Sequence, residues 1–393
     1  MSVTQAGTTL EMPTLAELRR RQSVKWQTYA SDVIPAWIAE MDFPVAQAIR
    51  ERLDECVAAS DFGYPQPAPR HLHERVGRWM HDDYGWSVEP DEVVVLPDVV
   101  RGVELALLCH TAPGDAVIVP TPSYPPLLAA VRDHGRVLVE AALVHGEQGW
   151  MVDEAALEKY FVQGATAIIL SSPQNPTGKV FTVEELRTIV DLAAHHGAVV
   201  ISDEIHAPLV FDPWRHVPTA TVSSLARDVT VTVTSTSKAW NLPGLRCAVL
   251  IAQRPELLRP VLDLPVKMRK GSSIVGIEAA VAALDHGQSW LAAVKTVLVG
   301  NRDTVARFFA ERWPTIPHTP PEATYLAWFD LNGMACGYDA AEHFLTEGKV
   351  ALSDGQHFGK AGAGWLRLNF ATTPAVLAEV LDGVDRALER ACG

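Results

Sequence analysis

The chain has 393 residues, a net charge of −14, 48% hydrophobic residues and five cysteines. Its length exceeds one compact core and predicts two domains, and its acidity without a basic run argues against a nucleic-acid surface, which needs clustered Lys and Arg. Cys56, Cys109, Cys247, Cys336 and Cys392 are dispersed with no CxxC spacing, which argues against a disulfide framework or metal site and predicts a reducing, cytoplasmic setting.

The first residues, MSVTQAGTTLEMPTLAELRRRQ, carry no apolar core of signal-peptide type, and no apolar run is long enough to span a bilayer, so no membrane association is expected. Residues 34–44 (IPAWIAEMDFP) read as an extended segment ended by Pro44. Ile49, Leu53 and Val57 give residues 45–60 helical spacing. Residues 61–69 (DFGYPQPAP) are a loop, and 71–84 a helix with Val76 and Trp79 inward. Strands and helices then alternate. Strands are predicted at 92–96, 116–119, 136–140, 167–170, 198–202, 229–233 and 247–252, and helices at 99–109, 125–134 and 183–196. Short apolar strands separated by helices imply an α/β fold with a largely parallel sheet covered on both faces. Ligands in such sheets bind beyond the strand C-terminal ends. Asn175, Asp203 and Lys238 all fall just after strand runs. From residue 276 the pattern is helical towards Phe309, through Ala279, Ala283, Trp290, Val294 and Leu298. Strands follow at 325–330, 350–353 and 365–369, with a Gly-rich segment at 354–364 expected to be mobile and a last helix at 374–390. A large domain at 48–288 and a smaller one of 1–47 plus 289–393 are expected.

Three stretches carry chemistry: SSPQNPTG (171–178), ISDEIH (201–206) and TSTSKAWNLPGLR (234–246). Singly, each key residue has a plainer role. Lys238 reads as a surface lysine, Asp203 as a helix cap, Asn175 as a turn former, Tyr124 as core and Arg367 as a strand-edge charge. Together they describe a site for an aromatic, phosphorylated, aldehyde-bearing cofactor. Lys238 can form an imine with the aldehyde and, once freed, act as general base at a substrate Cα. Asp203 can pair with a protonated pyridine nitrogen, and that lysine and acid pair belongs to pyridoxal 5'-phosphate (PLP) enzymes. Asn175 can donate to the ring hydroxyl. Ser235, Ser237 and Arg246 flank the lysine and suit the phosphate, as do the free N–H groups of Val99 and Val100 at a helix start.

KWQTY (25–29), PAWIAEMDFP (35–44), FGYP (62–65), DEIH (203–206), SKAWNLPGLR (237–246) and RLNFA (367–371) resemble the class I/II aminotransferase family of fold type I PLP enzymes. Within it the chain is most similar to the cystathionine β-lyase-like C–S lyase subfamily, over almost its whole length. The resemblance implies a large domain with a mainly parallel sheet, a smaller α+β domain and an active site between domains at a homodimer interface. It implies that Tyr124 stacks on the pyridine ring, and that His206 stands where aminotransferases usually have tyrosine near the ring hydroxyl. It implies that Tyr64 reaches the neighbouring subunit's phosphate and that Arg367 grips the substrate α-carboxylate, with Asn175 and the Ala39 N–H nearby. Two residues depart from the pattern: Glu40 replaces an aspartate, and Asp98 stands where a small residue, usually glycine, is expected. The implied reaction on the amino-acid substrate is β-elimination from L-cysteine S-conjugates to thiol, pyruvate and ammonia. The alternatives are decarboxylation or oxidation of such a conjugate, as in lincosamide-like antibiotic pathways of secondary metabolism, transamination, or a regulator that binds a transcription factor.

Overall fold

The runs VVVL, AVIVPT, ATAIILS, VVISD and TVTVT are aliphatic or β-branched with little polar alternation, as strands buried on both faces must be. In the computed structural model, which describes residues 2–5, 8–146, 149–334 and 339–392, they belong to a seven-stranded sheet. Its order is Val93–Leu96, Ala248–Ile251, Thr230–Thr234, Val199–Asp203, Ala165–Ser171, Ala116–Thr121 and Val137–Ala142. Ala248–Ile251 runs antiparallel to both neighbours, and the remaining pairings are parallel. The parallel strands therefore end on one edge. The reversed strand begins there, which brings Arg246 and Cys247 to the edge where Lys238 lies.

Alternate strand residues face opposite layers. Ile169, Ile201 and Val233 pack under the helices Val99–His110, Pro125–Asp133 and Pro255–Asp263. Ile168, Leu170 and Val200 pack under Glu154–Val162, Val183–His195 and Ser224–Val229. A second sheet pairs Leu326–Asp330 and Ser353–Asp354 with Trp365–Asn369. A third core runs from Met41 and Phe43 through Trp240, Ile277 and Trp290 to Phe329 and Leu368, so it joins the two sheets. Among the described residues no helix is long and apolar enough to cross a membrane.

Several expectations change. The helical stretch after residue 276 is two helices, Ile274–His286 and Gln288–Arg312. Gly287 sits between them because a Cβ there would lie 2.4 Å from both Ala283 O and Trp240 Nε1. The expected strand at 350–353 is split: Val350–Ala351 pairs with Ile34–Pro35, and the chain bends at Leu352 to join the other sheet. Residues 354–364 form two short turns, Gly355–Phe358 and Lys360–Gly362, and are packed down by Phe358 against Trp328. Beyond the predicted elements the chain forms the hairpin Val144–Gly146 with Gly149–Met151, the helix Glu154–Val162 and the hairpin Ser2–Gln5 with Thr8–Glu11. Of residues 34–44, only Ile34–Pro35 is strand.

Candidate active site

The turn after Ala165–Ser171 presents Asn175. It closes at Gly178, whose φ of +72° and close approach to Pro321 (2.2 Å from a built Cβ) admit no side chain. The turn after Thr230–Thr234 presents Lys238. Ser235 fixes that turn by donating to Cys247 O (2.7 Å) and accepting from Ser237 N (3.0 Å). Arg246 has a left-handed φ of 55°, directly after the short turn Pro243–Leu245, and Leu245 O accepts from Ser273 Oγ at 3.0 Å. Asp98 caps the helix Val99–His110: its Oδ1 accepts from Arg101 N and its Oδ2 from Arg246 Nη2, both at 2.8 Å.

Ala39, Val99, Val100, Tyr124, Asn175, Asp203, His206, Ser235, Ser237, Lys238 and Arg246 line one cavity of about 470 Å³. Arg367 adjoins it through Asn175 Oδ1, to which Nη1 donates at 2.9 Å. Tyr64 does not join it. Its side chain is fully exposed, in a separate surface groove with Val95, Val266 and Ile277.

Burial dominates the electrostatics. The Lys238 amine donates to Ala39 O at 2.8 Å, and burial, reinforced by Arg367, lowers its pKa to about 8. Burial raises Asp203 to about 7, against the opposing pull of the Ile205 N–H on Oδ1 (3.1 Å) and of Lys238. Burial takes His206 down to about 3, so its imidazole is neutral, and its Nδ1 has no hydrogen-bond partner among the described residues. Its ring meets Tyr325 edge-on, 6.0 Å between centroids. Burial raises the Tyr124 phenol and lowers Arg367 to about 10, which leaves the guanidinium a cation at neutral pH. Arg367 Nη2 donates to Trp37 O (2.8 Å) and Ser353 Oγ (3.1 Å), its guanidinium lies 4.8 Å from the Phe358 ring centroid, and its Nε is unpartnered.

Ala39 is held in place by residues that are not among the predicted site residues. The segment around it is not a strand, so its backbone groups need side-chain partners. Asn241 Oδ1 accepts from Met41 N, and its Nδ2 donates to Met41 O and Phe43 O. Asn369 Nδ2 donates to Ile38 O and Glu40 O, and Tyr325 Oη to Ala39 O at 3.1 Å. Asp42 is buried against Lys25 at 2.8 Å and accepts from Trp26 Nε1. Asn241, Lys25 and Asn369 lie inside the quoted motifs, and a polar residue between apolar ones was the available signal. Tyr325 had none. Glu40 turns its carboxylate to Ser23 Oγ (2.6 Å). Glu204, beside Asp203, is buried and accepts from Ser202 Oγ and Thr219 N, with His216 Nε2 at 3.0 Å.

The cavity thus brings together the carboxyl of Asp203, the helix start at Val99–Val100 and an amine whose pKa is lowered to about 8. The orphaned His206 Nδ1 and Arg367 Nε are polar atoms that a bound group can satisfy.

Over residues 38–384 the chain matches the family model described as aminotransferase class I and II. It is 36% identical over 372 residues to a cystathionine beta-lyase of Corynebacterium glutamicum, covering 95% of this chain and 98% of that one. The structure of cystalysin from Treponema denticola, which contains a pyridoxal 5'-phosphate cofactor, matches with a TM-score of 0.88 at 26% identity, covering 95% and 97% of the two chains. A PLP-bound C–S lyase from Staphylococcus hominis matches with a TM-score of 0.88 at 25% identity, covering 94% and 96%.

Proposed function

The chain belongs to the aminotransferase class I and II family and is a PLP-dependent carbon–sulfur lyase, and from that premise we propose that it cleaves L-cysteine S-conjugates. The products are a thiol, pyruvate and ammonia, with one water consumed. The cofactor supplies an aldehyde that captures the substrate amine and a ring that accepts electrons from Cα.

The chain's own residues divide the remaining work. Lys238 would hold the aldehyde and, once freed, would move the Cα proton. Asp203 would pair with the ring nitrogen, Tyr124 would pack on the ring, and Asn175 and His206 would serve the ring hydroxyl. Val99, Val100, Ser237 and Arg246 would hold the phosphate, as would Ser235 once its hydroxyl turns from Cys247 O. Arg367 and the Ala39 N–H hold the α-carboxylate, with Asn175 beside them. The observation that carries the reading is one cavity that combines an amine with a pKa of about 8 and, through Asn175, a fixed buried arginine. An α-amino acid held by its carboxylate there has its Cα near the amine. Loss of the proton pushes an electron pair towards Cβ, and a sulfur there leaves with the bonding pair. Pyruvate release from a panel of cysteine S-conjugates, read by a coupled dehydrogenase, tests this. Return of a keto acid with its C–S bond intact would reassign the chain to transamination.

Arg367→Ala is expected to lower kcat/KM about a hundredfold, chiefly through KM because it removes a charged fork on the carboxylate, with a smaller loss in kcat because the same fork orients Cα. Arg367→Lys should recover little, since one ammonium cannot serve Asn175, Trp37 O and Ser353 at once. Steady-state kinetics with one conjugate decide it, and an unchanged KM in both variants would remove Arg367 from the site.

The same proposal includes a homodimer and the division into residues 48–288 and the rest. Exposed Tyr64, Phe62 and Val266 support the dimer, since apolar side chains clustered on a surface call for a cover. The second copy's Tyr64 would then reach this cavity's phosphate end. Light scattering should give a dimer, and Tyr64→Phe should speed cofactor loss without changing that mass. A fully active monomer contradicts it.

A further inference from the structure

The phosphate end of the cavity is charge-balanced within the chain. Arg246 pairs with Asp98 at 2.8 Å and Arg101 with Glu104 at 2.9 Å, and all four side chains line that end. An anion arriving there meets a guanidinium whose charge is already matched. One oxygen of Asp98 also occupies the N–H of Arg101, at the same helix start that offers Val99 and Val100.

We propose that Asp98 is a place-holder for the cofactor phosphate: it neutralises Arg246 until the cofactor binds, and it competes with the phosphate afterwards. The inference rests on the phosphate site proposed above and adds a residue that sets cofactor affinity. Two features favour competition over a helpful orienting role. The Arg246 backbone is placed by its own left-handed φ and the Leu245–Ser273 bond, so the point from which its side chain starts does not depend on Asp98. The carboxylate is also fixed by its capping bond, so it stays beside the phosphate rather than swinging away. Both Asp98 and Arg246 are partly exposed, at 39% and 58%, which weakens the competition through solvent screening but does not abolish it.

The test uses Asp98→Asn, which keeps a capping oxygen and removes the charge, with Asp98→Ser as a second capping variant should the first fold poorly. Holoenzyme reconstituted with PLP or with phosphate-free pyridoxal is diluted into a cofactor trap, and loss of visible absorbance gives the release rate. Either variant is expected to release PLP roughly tenfold more slowly than wild type, the scale of one partly screened charge contact, and to release pyridoxal at the wild-type rate. If wild type retains PLP far longer than pyridoxal but the variants release PLP as fast or faster, the place-holder role is overturned while the phosphate site stands. If wild type releases both at one rate, the phosphate site itself falls, and this proposal with it.

Discussion

Lys238→Ala is expected to drop turnover below about a thousandth of wild type and to leave no lysine-linked cofactor. The reasons are local. Lys238 is half-buried, and desolvation and Arg367 lower its pKa to about 8, so a useful share is neutral near physiological pH. A neutral amine attacks a carbonyl and can take a proton, and a surface lysine at its ordinary pKa does neither well. Folding should survive, because Ala39 O, which loses the Lys238 bond, still accepts from Tyr325 Oη at 3.1 Å. Borohydride reduction, digestion and mass spectrometry should find the cofactor on Lys238 in wild type and on no lysine in the variant. A folded variant with more than about a tenth of wild-type turnover would contradict the role.

Asp203→Asn is expected to keep the fold and bind cofactor but lose at least about a hundredfold in turnover. An amide cannot keep a ring nitrogen protonated, and the ring then takes up electrons from Cα poorly. The same residue gives a stability signature in the cofactor-free chain. Burial raises the Asp203 pKa from 3.8 to about 7, so the protonated form is the one the fold favours. That stabilisation is complete below about pH 4 and is lost as pH rises through about 7. The amide of the variant never ionises, so the cofactor-free variant should exceed wild type by a few kcal/mol at about pH 8 and by much less at about pH 5. Urea melts at the two pH values measure this. Equal stability at both would place Asp203 in a wetter setting than the fold gives it.

The central sheet was readable because its strands are unbroken apolar runs and its helices keep their periodicity. The chemistry was readable where one strand end supplies it: Asn175, Asp203 and Lys238 each follow a strand, and topology alone gathers them. What was hidden depends on distant partners. Asn241 bonds Met41 across 200 positions, and nothing local in either residue announces the other. Residues 36–44 look extended by composition, yet much of their backbone is satisfied by side chains, Asn241, Asn369 and Tyr325 among them, which a strand reading could not supply. The two helices after residue 273 look like one because Gly287 breaks them for a contact with Trp240, far away in sequence. Asp98 departs from the small residue expected at its position, a departure a helix cap can explain, and the fold shows that cap and adds the arginine with which it pairs.

The central claim is β-elimination. It requires Lys238 to take the Cα proton before the Cβ–S bond breaks, with Arg367 holding the carboxylate near the ring plane so that the Cα–H bond stands across it. Mass spectrometry of one cysteine S-conjugate reaction, run under air and again under nitrogen, tests this most directly. The account predicts thiol, pyruvate and ammonia in equal amounts, at the same rate in both atmospheres. Release of carbon dioxide with an oxygen-dependent aldehyde that keeps its C–S bond would contradict it.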